Sequence, residues 1–293
     1  KEMKKGKVGV ITGGGSGHEP AFVGYLGDGM LDSVAIGEVF ASPPALAFYD
    51  AIVDADQGEG VAVLFGNYAG DNMNVKMAVQ MAEDDDIEVK YVVANDDVAS
   101  APKAVKEQRH GIAGGFFMWK VGGARAAKGG SLDDVIASAQ NVVNRTKSIC
   151  VGLEPCVIPA LGHSNFKIED GTMEFGVGHH GEAGTKVEKL KSASEMAQEM
   201  AETILNDFDF EEGKEVAVML SGLGATPVME LYVLYDEVEK VLAKAGHKVW
   251  KTYIGNYVTS LDMNGASLTI VDLDDEIKEL LSEPAVPIGM KNY

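Results

Sequence analysis

The 293-residue sequence has few of the features that mark secreted, membrane or nucleic-acid-binding proteins. The spacing of its two cysteines, Cys150 and Cys156, fits neither a disulfide framework nor a zinc site, and we interpret both as packing residues. An apolar run of roughly eighteen residues is lacking, as is a signal-peptide pattern, so neither a membrane span nor secretion is predicted. The formal net charge of −20 has no basic cluster to offset it, which disfavours nucleic acid and anionic membranes as partners. We therefore expect a cytoplasmic protein.

The usual phosphate-binding motifs are missing as well. The sequence has no Gly-Lys-Ser/Thr triplet, and the dinucleotide pattern G-x-G-x-x-G fails because its third glycine would fall on His18. What is present is GGGSGHEP at 13–20, directly after the apolar run VGVIT. Glycines let a backbone approach a ligand closely, and Pro20 is expected to open a helix whose first N–H groups point into the loop. The segment predicts a cradle for a small polar ligand, with the His18 imidazole delivered into it.

Apolar, β-rich runs alternate with helix-like segments, which is typical of parallel α/β architecture. Helices are predicted at 74–85, 131–148 and 227–246, and the second begins with a capping-box spacing between Ser131 and Asp134. Strands are predicted at 8–12, 61–65, 89–94, 149–153, 216–220 and 267–273.

The length predicts two domains or one large one, since a domain takes roughly 150 residues, and the α/β alternation favours two α/β domains. We expect mostly parallel or mixed sheets with strand–Gly-loop–helix turns. The predicted domains are 1–147 and 148–293, with the alternative that the last segment returns to the first domain. Two weak echoes, VITGGGSGHEP with VMLSGLGATP and NYAGDNMN with NYVTSLDMNG, fit an internal duplication. They fit equally the general similarity of strand–Gly–helix turns in α/β proteins.

Two side chains that can accept or donate a proton, His18 and Asp71, each follow a predicted strand. His18 lies beyond strand 8–12 and Asp71 beyond strand 61–65. Ligands of open α/β sheets bind beyond the carboxyl ends of strands, so His18 and Asp71 are predicted to share one crevice. For Asp71 the alternative role is the N-cap of the helix that follows, and the two roles are compatible.

A second candidate site is the glycine-rich stretch MEFGVGHHGEAG at 173–184. Its glycines leave the backbone uncluttered around His179, His180 and the carboxylate of Glu182, which suggests access by a ligand. The alternative is that loop histidines serve packing or lie at the surface. A catalytic metal on these side chains is disfavoured, because their spacing matches no zinc motif.

Seven separated segments occur in a recognisable order: GGGSGHEP, GYLGDGML, GEVFASP, GNYAGDNMN, MEFGVGHHGE, LGATP and TSLDMNG. Together they resemble the K subunit, or K domain, of dihydroxyacetone kinases. The resemblance runs from about residue 7 to residue 275, and its specificity comes from the number and order of the motifs.

The resemblance implies covalent substrate binding. In this family a histidine nitrogen adds to the ketone carbonyl and forms a hemiaminal, and the family motif His-Gly-Glu places that role on His180. By resemblance, His18 and Asp71 hydrogen-bond the terminal hydroxyl of the ketose, with Asp71 as the base and His18 assisting. The backbone of Gly15 and Ser16 is then expected to line the substrate pocket.

The resemblance also implies that the phosphate comes from elsewhere. The nucleotide is expected on a separate all-helical L subunit or a fused L domain, so no cofactor is expected on this chain. The donor is ATP, or ADP recharged by a phosphotransferase subunit, with magnesium on the partner. We further expect a homodimer.

Departures from the family pattern leave alternatives open. Many relatives read Arg-Arg-Gly and Ala-Gly-Thr where this chain has Arg109-His110-Gly111 and Ala113-Gly114-Gly115, followed by FFMW. A four-carbon ketose such as erythrulose is therefore an alternative substrate. A ketose sensor that partners a transcription regulator is the alternative function, and a metal hydrolase is a third. Relatives carry more sequence ahead of the first motif, which leaves open whether a segment precedes Lys1.

Overall fold

Helices and strands alternate along the computed structural model, which describes residues 6–164, 166–209 and 213–289. The described helices are α1 (Ala45–Ala55), α2 (Ala69–Asp84), α3 (Gly115–Ala127), α4 (Leu132–Asn144), α5 (Ala193–Asp207), α6 (Val228–Lys244) and α7 (Asp275–Ser282). The described strands are β1 (Gly9–Ser16), β2 (Gly27–Asp28), β3 (Ser33–Val39), β4 (Val61–Gly66), β5 (Val89–Ala94), β6 (Thr146–Glu154), β7 (Thr172–Phe175), β8 (Lys186–Lys189), β9 (Glu215–Gly222), β10 (Lys248–Gly255), β11 (Asn264–Asp272) and β12 (Val286–Pro287). Within these described ranges, no helix is both long and apolar enough to cross a membrane.

The described residues form two α/β units. The first contains residues 6–94, 115–144 and 274–289, and the second contains the described part of 95–114 and 145–273. The predicted division placed 95–114 in the first domain, and the structure differs there. The reason is hydrogen bonding: the Asp96 carboxylate accepts from the N–H groups of Ile112 and Gly114, while the Ser148 N–H donates to the Asp96 carbonyl.

The last segment lies in the first unit, which was the alternative left open. Its helix α7 packs on α3, where the buried Lys120 ammonium donates to the carbonyls of Leu280 at 2.9 Å and Glu283 at 2.8 Å. These are carbonyls near the end of α7 that the helix itself leaves without a partner. The lysine thus satisfies the helix end and anchors it to α3.

The first unit is built on a four-stranded parallel sheet with the order β3-β1-β4-β5. Ile11, Val63 and Phe65 form an apolar core with α1 and α2. The alternate residue Leu64 contacts α3, where a Cβ at Gly122 would meet its side chain at 2.7 Å. The sheet is therefore covered on both faces, which explains the continuous apolar run VAVLF.

The order of this sheet contains a switch point. The chain leaves β1 for β3 on one side and then returns past β1 to β4 on the other. Connections on the two sides of such a point diverge and leave a crevice beyond the carboxyl ends of the central strands. In this unit the central strands are β1 and β4, so their exits at Ser16 and Gly66 border the crevice.

The second unit is built on a six-stranded mixed sheet with the order β10-β9-β11-β6-β7-β8. Only β10 and β9 pair in parallel, and the other neighbours are antiparallel. Its core is formed by inward residues of β6, β9 and β11 against the apolar faces of α5 and α6. Cys150 and Cys156 are buried as free thiols, in agreement with the packing role predicted for them.

Six predicted strands are confirmed as β1, β4, β5, β6, β9 and β11. The predicted helix 131–148 is too long, because Thr146 already pairs with Val271 of β11. Its predicted start is confirmed, since the Asp134 N–H donates to the Ser131 hydroxyl at 3.3 Å.

The prediction that Pro20 opens a helix is wrong. Residues 17–22 form bends and turns, and the Gly24 N–H closes a turn on the Pro20 carbonyl at 2.7 Å. The second echo also has two different structures: NYAGDNMN leads into α2, whereas NYVTSLDMNG leads into strand β11.

Arg109 forms a buried ion pair with Asp207 in the second unit. Its side chain is 1% exposed and donates to both Asp207 carboxylate oxygens at 2.7 Å, and to the Ala101 carbonyl at 2.8 Å. Replacement Arg109→Leu leaves a partly buried carboxylate without its partner, so the free energy of unfolding should fall by about 3 kcal/mol or more. Urea denaturation measures the change.

The matched control is Lys103→Ala, which removes the exposed ion pair to Asp209 in the same unit. Exposed pairs contribute little, so this variant should unfold close to the parent chain. Equal destabilisation by the two variants would contradict the importance assigned to burial.

Candidate functional site

The first three glycines of GGGSGHEP belong to the end of strand β1 rather than to an open loop, and Gly17 follows the strand in a bend. A Cβ at Gly14 would collide with the Phe22 ring, and one at Gly15 would approach the Ala41 nitrogen at 2.7 Å. Side chains are thus excluded here because the protein's own groups pack directly against the strand. The half-buried Ser16 ends the strand, and its hydroxyl donates to the Gly37 carbonyl at 2.7 Å.

His18 lies two residues after β1 and is 4% exposed. Its ring stacks on the Phe40 ring, with 5.2 Å between centroids and 24° between planes. The edge of Phe22 approaches the same imidazole at 6.1 Å and 83°. Aromatic neighbours on a face and at an edge hold the imidazole in one orientation.

Asp71 lies in the first turn of α2 and is 9% exposed. It is not the N-cap of this helix, as the alternative reading had it, because the N-cap is Tyr68. The Ser42 hydroxyl donates to the Asp71 carboxylate at 2.7 Å, and the Asn74 amide donates to the Ser42 hydroxyl at 3.2 Å. A carboxylate in a first helical turn is also stabilised by the helix dipole.

The structure brings His18 and Asp71 to the same edge of the first unit's sheet. They follow β1 and β4, which are neighbours and parallel, and the segment after β3 contacts both of them through Phe40 and Ser42. This segment contains a strained residue, since Phe40 has a φ of 57°, in the left-handed region. For a bulky side chain that conformation costs about 1–3 kcal/mol and is typical of functional sites.

The histidine pair lies in the second unit, in the tight loop after β7. His179 is 3% exposed, and its carbonyl accepts a short hydrogen bond from the buried Ser260 hydroxyl. The Gly178 N–H donates to the Glu182 carbonyl at 2.9 Å, and a Cβ at Gly178 would collide with the Glu182 carboxylate. A side chain at position 178 would therefore displace the Glu182 carboxylate from its present position.

His180 is half-buried and is oriented by Glu182. One carboxylate oxygen lies 2.8 Å from the His180 Nδ1, and the other accepts from the His180 backbone N–H at 2.8 Å. Burial opposes ionisation of Glu182, but the bonds and charge of His180 outweigh it and lower the pKa of this carboxyl to about 2. An ionised carboxylate accepts a hydrogen bond from Nδ1–H, so this contact places the Nδ1 proton beside Glu182, and the lone pair of the ring's neutral form is then on Nε2.

Two buried acids near this loop were missed by the sequence analysis. Burial is the main reason that the pKa of Asp97 is raised to about 7. The Ala99 N–H donates a hydrogen bond to this carboxylate and lowers the pKa, whereas the neighbouring Asp96 raises it further. Asp97 and Ala99 form a turn, and a Cβ at Gly176, where the histidine loop begins, would meet Ala99 at 2.7 Å. The available signal was the pair Asp96-Asp97, which follows the predicted strand 89–94 after one intervening residue, Asn95.

The residues that depart from the family pattern are His110 and Gly115. The His110 carbonyl accepts from the Asp97 N–H at 3.1 Å, its N–H donates to the Ser100 hydroxyl at 2.9 Å, and a Cβ at Gly115 would lie 3.1 Å from the Trp119 ring. The FFMW segment is buried inside α3. In the described ranges 6–164, 166–209 and 213–289, no three or more His, Cys, Asp or Glu side chains are grouped so that they could hold a metal ion.

Comparison with known sequences gives one family across nearly the whole chain. A sequence model described as the Dak1 domain matches residues 1–288. The dihydroxyacetone-binding subunit DhaK of PTS-dependent dihydroxyacetone kinase 1 from Listeria innocua is 42% identical over 275 residues, which are 94% of this chain and 84% of the relative. The D-erythrulose kinase of Mycolicibacterium smegmatis is 38% identical over 282 residues, 96% of this chain and 49% of the relative.

Solved structures with the same fold include a regulator and a kinase. The dihydroxyacetone kinase operon co-activator Dha-DhaQ has a TM-score of 0.93 and 31% identity, with 98% of this chain and 89% of that chain covered. The dihydroxyacetone kinase of C. freundii, solved with AMP-PNP and Mg²⁺, has a TM-score of 0.88 and 31% identity, with 98% of this chain and 54% of that chain covered.

The depressed pKa of Glu182 generates a prediction about acid stability. The Glu182 carboxyl has a pKa of about 2 in the folded chain, against an ordinary value of 4.5. Its ionised form therefore stabilises the fold above about pH 4.5, and this contribution disappears as the pH falls toward 2. The parent chain should therefore exceed the Glu182→Gln variant in thermal midpoint at neutral pH, and the difference should shrink on acidification. Calorimetry over a pH series measures it.

The control for charge removal is Glu230→Gln, at an exposed position of α6 in the same unit. A difference between parent and Glu182→Gln that stays constant with pH would show that the carboxylate is not the stabilising species.

Proposed function

The chain belongs to the Dak1 domain family, and from this membership we propose that it is the ketose-binding subunit of a dihydroxyacetone-type kinase. As such it is the substrate-binding component of a phosphotransferase with an alcohol group as acceptor. The observation that carries the proposal is the 42% identity to a dihydroxyacetone-binding subunit over 84% of that subunit's length. The presence of His18, Asp71 and His180 in the matching motifs supports it.

His180 is proposed as the covalent ligand of the ketose. Its Nε2 forms a bond to C2 of the substrate, the carbonyl electron pair moves to oxygen, and that oxygen takes up a proton to give the hemiaminal. The positive charge that develops on the ring is stabilised by the Glu182 carboxylate beside Nδ1, at 2.8 Å. Glu182 thereby fixes both the tautomer and the orientation that the attack requires.

Asp71 is proposed as the base toward the terminal hydroxyl, with His18 assisting. Removal of the hydroxyl proton makes the oxygen a better nucleophile as the phosphoryl group arrives. Both side chains are buried and held by neighbours, which supports a role that depends on fixed position. The backbone of Gly15 and Ser16, at the end of β1, is proposed to line the pocket.

The phosphoryl donor is proposed to be ATP, or ADP recharged by a phosphotransferase subunit, held with magnesium by a separate L-type subunit. The kinase of C. freundii supports this, because it was solved with AMP-PNP and Mg²⁺ and this chain covers 54% of it. A cytoplasmic location and a homodimer belong to the same proposal, and light scattering tests the dimer.

Two alternatives rest on specific relatives. The co-activator with a TM-score of 0.93 favours a ketose sensor, and the 38% identical D-erythrulose kinase favours a four-carbon substrate. A sensor needs the covalent anchor but has no use for a base at the terminal hydroxyl. Turnover of either ketose in the presence of an L-type subunit and ATP or a phosphotransferase donor distinguishes a kinase subunit from a sensor.

Replacement of Asp71 should separate binding from phosphoryl transfer. In the complex with an L-type subunit, Asp71→Asn should lower kcat by roughly a hundredfold or more and leave the affinity for the ketose largely intact. Steady-state kinetics measure the effect, and Asp84→Asn at the exposed end of α2 is the control. Parent-like turnover by Asp71→Asn would remove Asp71 from the mechanism.

The covalent step predicts selectivity for a carbonyl. Glycerol has no electrophilic carbon for His180 to attack, so it should bind poorly, whereas small ketoses should be captured. A crystal soaked with dihydroxyacetone should show continuous density from C2 to His180, and His180→Ala should lose most of the ketose affinity.

The control is His163→Ala, at an exposed histidine of the same unit. Density joining C2 to His179 would mean that the wrong histidine is assigned, and full ketose affinity in His180→Ala would overturn the covalent mechanism.

A further inference from the structure

We propose that the segment Phe40–Ser42, here named the 40–42 segment, is a single positioning element for two catalytic side chains. In this inference Phe40 sets the orientation of His18, and Ser42 sets that of Asp71. It rests on the proposed function, since it concerns the groups assigned there to the terminal hydroxyl of the ketose. Neither Phe40 nor Ser42 is assigned a contact with substrate.

Phe40 presents the face of its ring to His18. The near-parallel arrangement, with 5.2 Å between the centroids and 24° between the planes, fixes the plane of the imidazole ring. The backbone that delivers the ring is itself fixed, because the Phe40 N–H donates to the Ser16 carbonyl at 3.0 Å. The unfavourable φ of 57° is held by these surroundings, as expected where a side chain is retained for its position.

Ser42 acts on Asp71 in the same way. Its hydroxyl donates to one carboxylate oxygen at 2.7 Å and accepts from the Asn74 amide at 3.2 Å. The serine thus links two residues of α2 that lie three positions apart. Such a bond favours one rotamer of the Asp71 carboxylate.

The 40–42 segment packs directly against glycines of three elements, β1, β3 and α2. A Cβ at Gly15 of β1 would lie 2.7 Å from the Ala41 nitrogen, one at Gly37 of β3 would collide with the Ala41 carbonyl, and one at Gly70 of α2 would lie 3.0 Å from the Ser42 Cβ. Side chains at these glycines would push the segment away from the sheet. The close packing against these glycines therefore fixes the position of the 40–42 segment, and its contacts with His18 and Asp71 fix the orientation of those two side chains.

The structural half of the proposal is tested on the ligand-free chain by NMR of histidine ring carbons and protons. The His18 resonance is identified by its loss in His18→Ala. A stacked phenyl ring shields the protons of its neighbour, so Phe40→Leu should move this resonance downfield, whereas Phe40→Tyr should leave it near its original position. An unchanged His18 resonance in Phe40→Leu would show that the stack is absent in solution.

The functional half is tested by double-mutant cycles in the reconstituted kinase. Phe40→Leu should lower kcat about tenfold with less than about a twofold change in KM for the ketose, while Phe40→Tyr should recover most of kcat. In a His18→Ala background, Phe40→Leu should have no further effect, because it acts through His18. Ser42→Ala should likewise lower kcat alone and have no further effect on Asp71→Asn.

The outcomes separate this inference from the proposed function. If the parent chain with an L-type subunit does not phosphorylate a ketose, the proposed function fails and the NMR result alone judges the position of His18. If the parent is active and Phe40→Leu keeps parent kcat, or lowers it equally with and without His18, the inference is overturned. Equal losses in Phe40→Leu and Phe40→Tyr, or equal losses in thermal midpoint and kcat, also overturn it.

Discussion

The parallel pairing of β1 with both β3 and β4 is the constraint on which the first candidate site depends. Three chain exits are brought to one edge of the sheet, although they are far apart in sequence. His18 follows the first, the 40–42 segment follows the second and Asp71 lies in the helix after the third. Because the sheet is covered by helices on both faces, this edge is where polar side chains can converge without being buried in an apolar core.

The second unit reaches a comparable result by different means. Its sheet is mixed, and the histidine pair is placed by a tight loop after a strand that pairs antiparallel with both neighbours. The loop is closed by backbone bonds and by the Glu182 carboxylate, which contacts both the ring and the backbone of His180. Orientation there comes from charge and hydrogen bonds, whereas His18 in the first unit is oriented by aromatic packing.

The sequence was most informative where burial is uniform. The runs 61–65 and 216–220 lie in central strands, and their continuous apolar pattern predicted them correctly. Strands β3 and β10 were missed because many of their residues are exposed or half-buried, which weakens the pattern. The grouping of 95–114 with the second unit depends on the backbone hydrogen bonds that Ser148 makes with Asp96 and Val98, about fifty positions away, which no local pattern reports.

The candidate site shows the same limit. Motif resemblance named His18, Asp71 and His180, and chain topology explains why the first two lie at one edge. The left-handed backbone of Phe40 could not be predicted, because tertiary contacts impose it on a residue type that avoids it. The same holds for Ser42, whose bond to Asp71 spans 29 positions of sequence.

Asp97 has a consequence for the energetics of the second unit. Its carboxyl has a pKa of about 7 when folded and an ordinary value of 3.8, so between these values the native chain binds a proton that the unfolded chain lacks. Unfolding in that range releases this proton to the solution, and the free energy of unfolding therefore falls as the pH rises from 3.8 toward 7. The heat of unfolding measured near pH 6 therefore includes the protonation enthalpy of whatever buffer receives the proton.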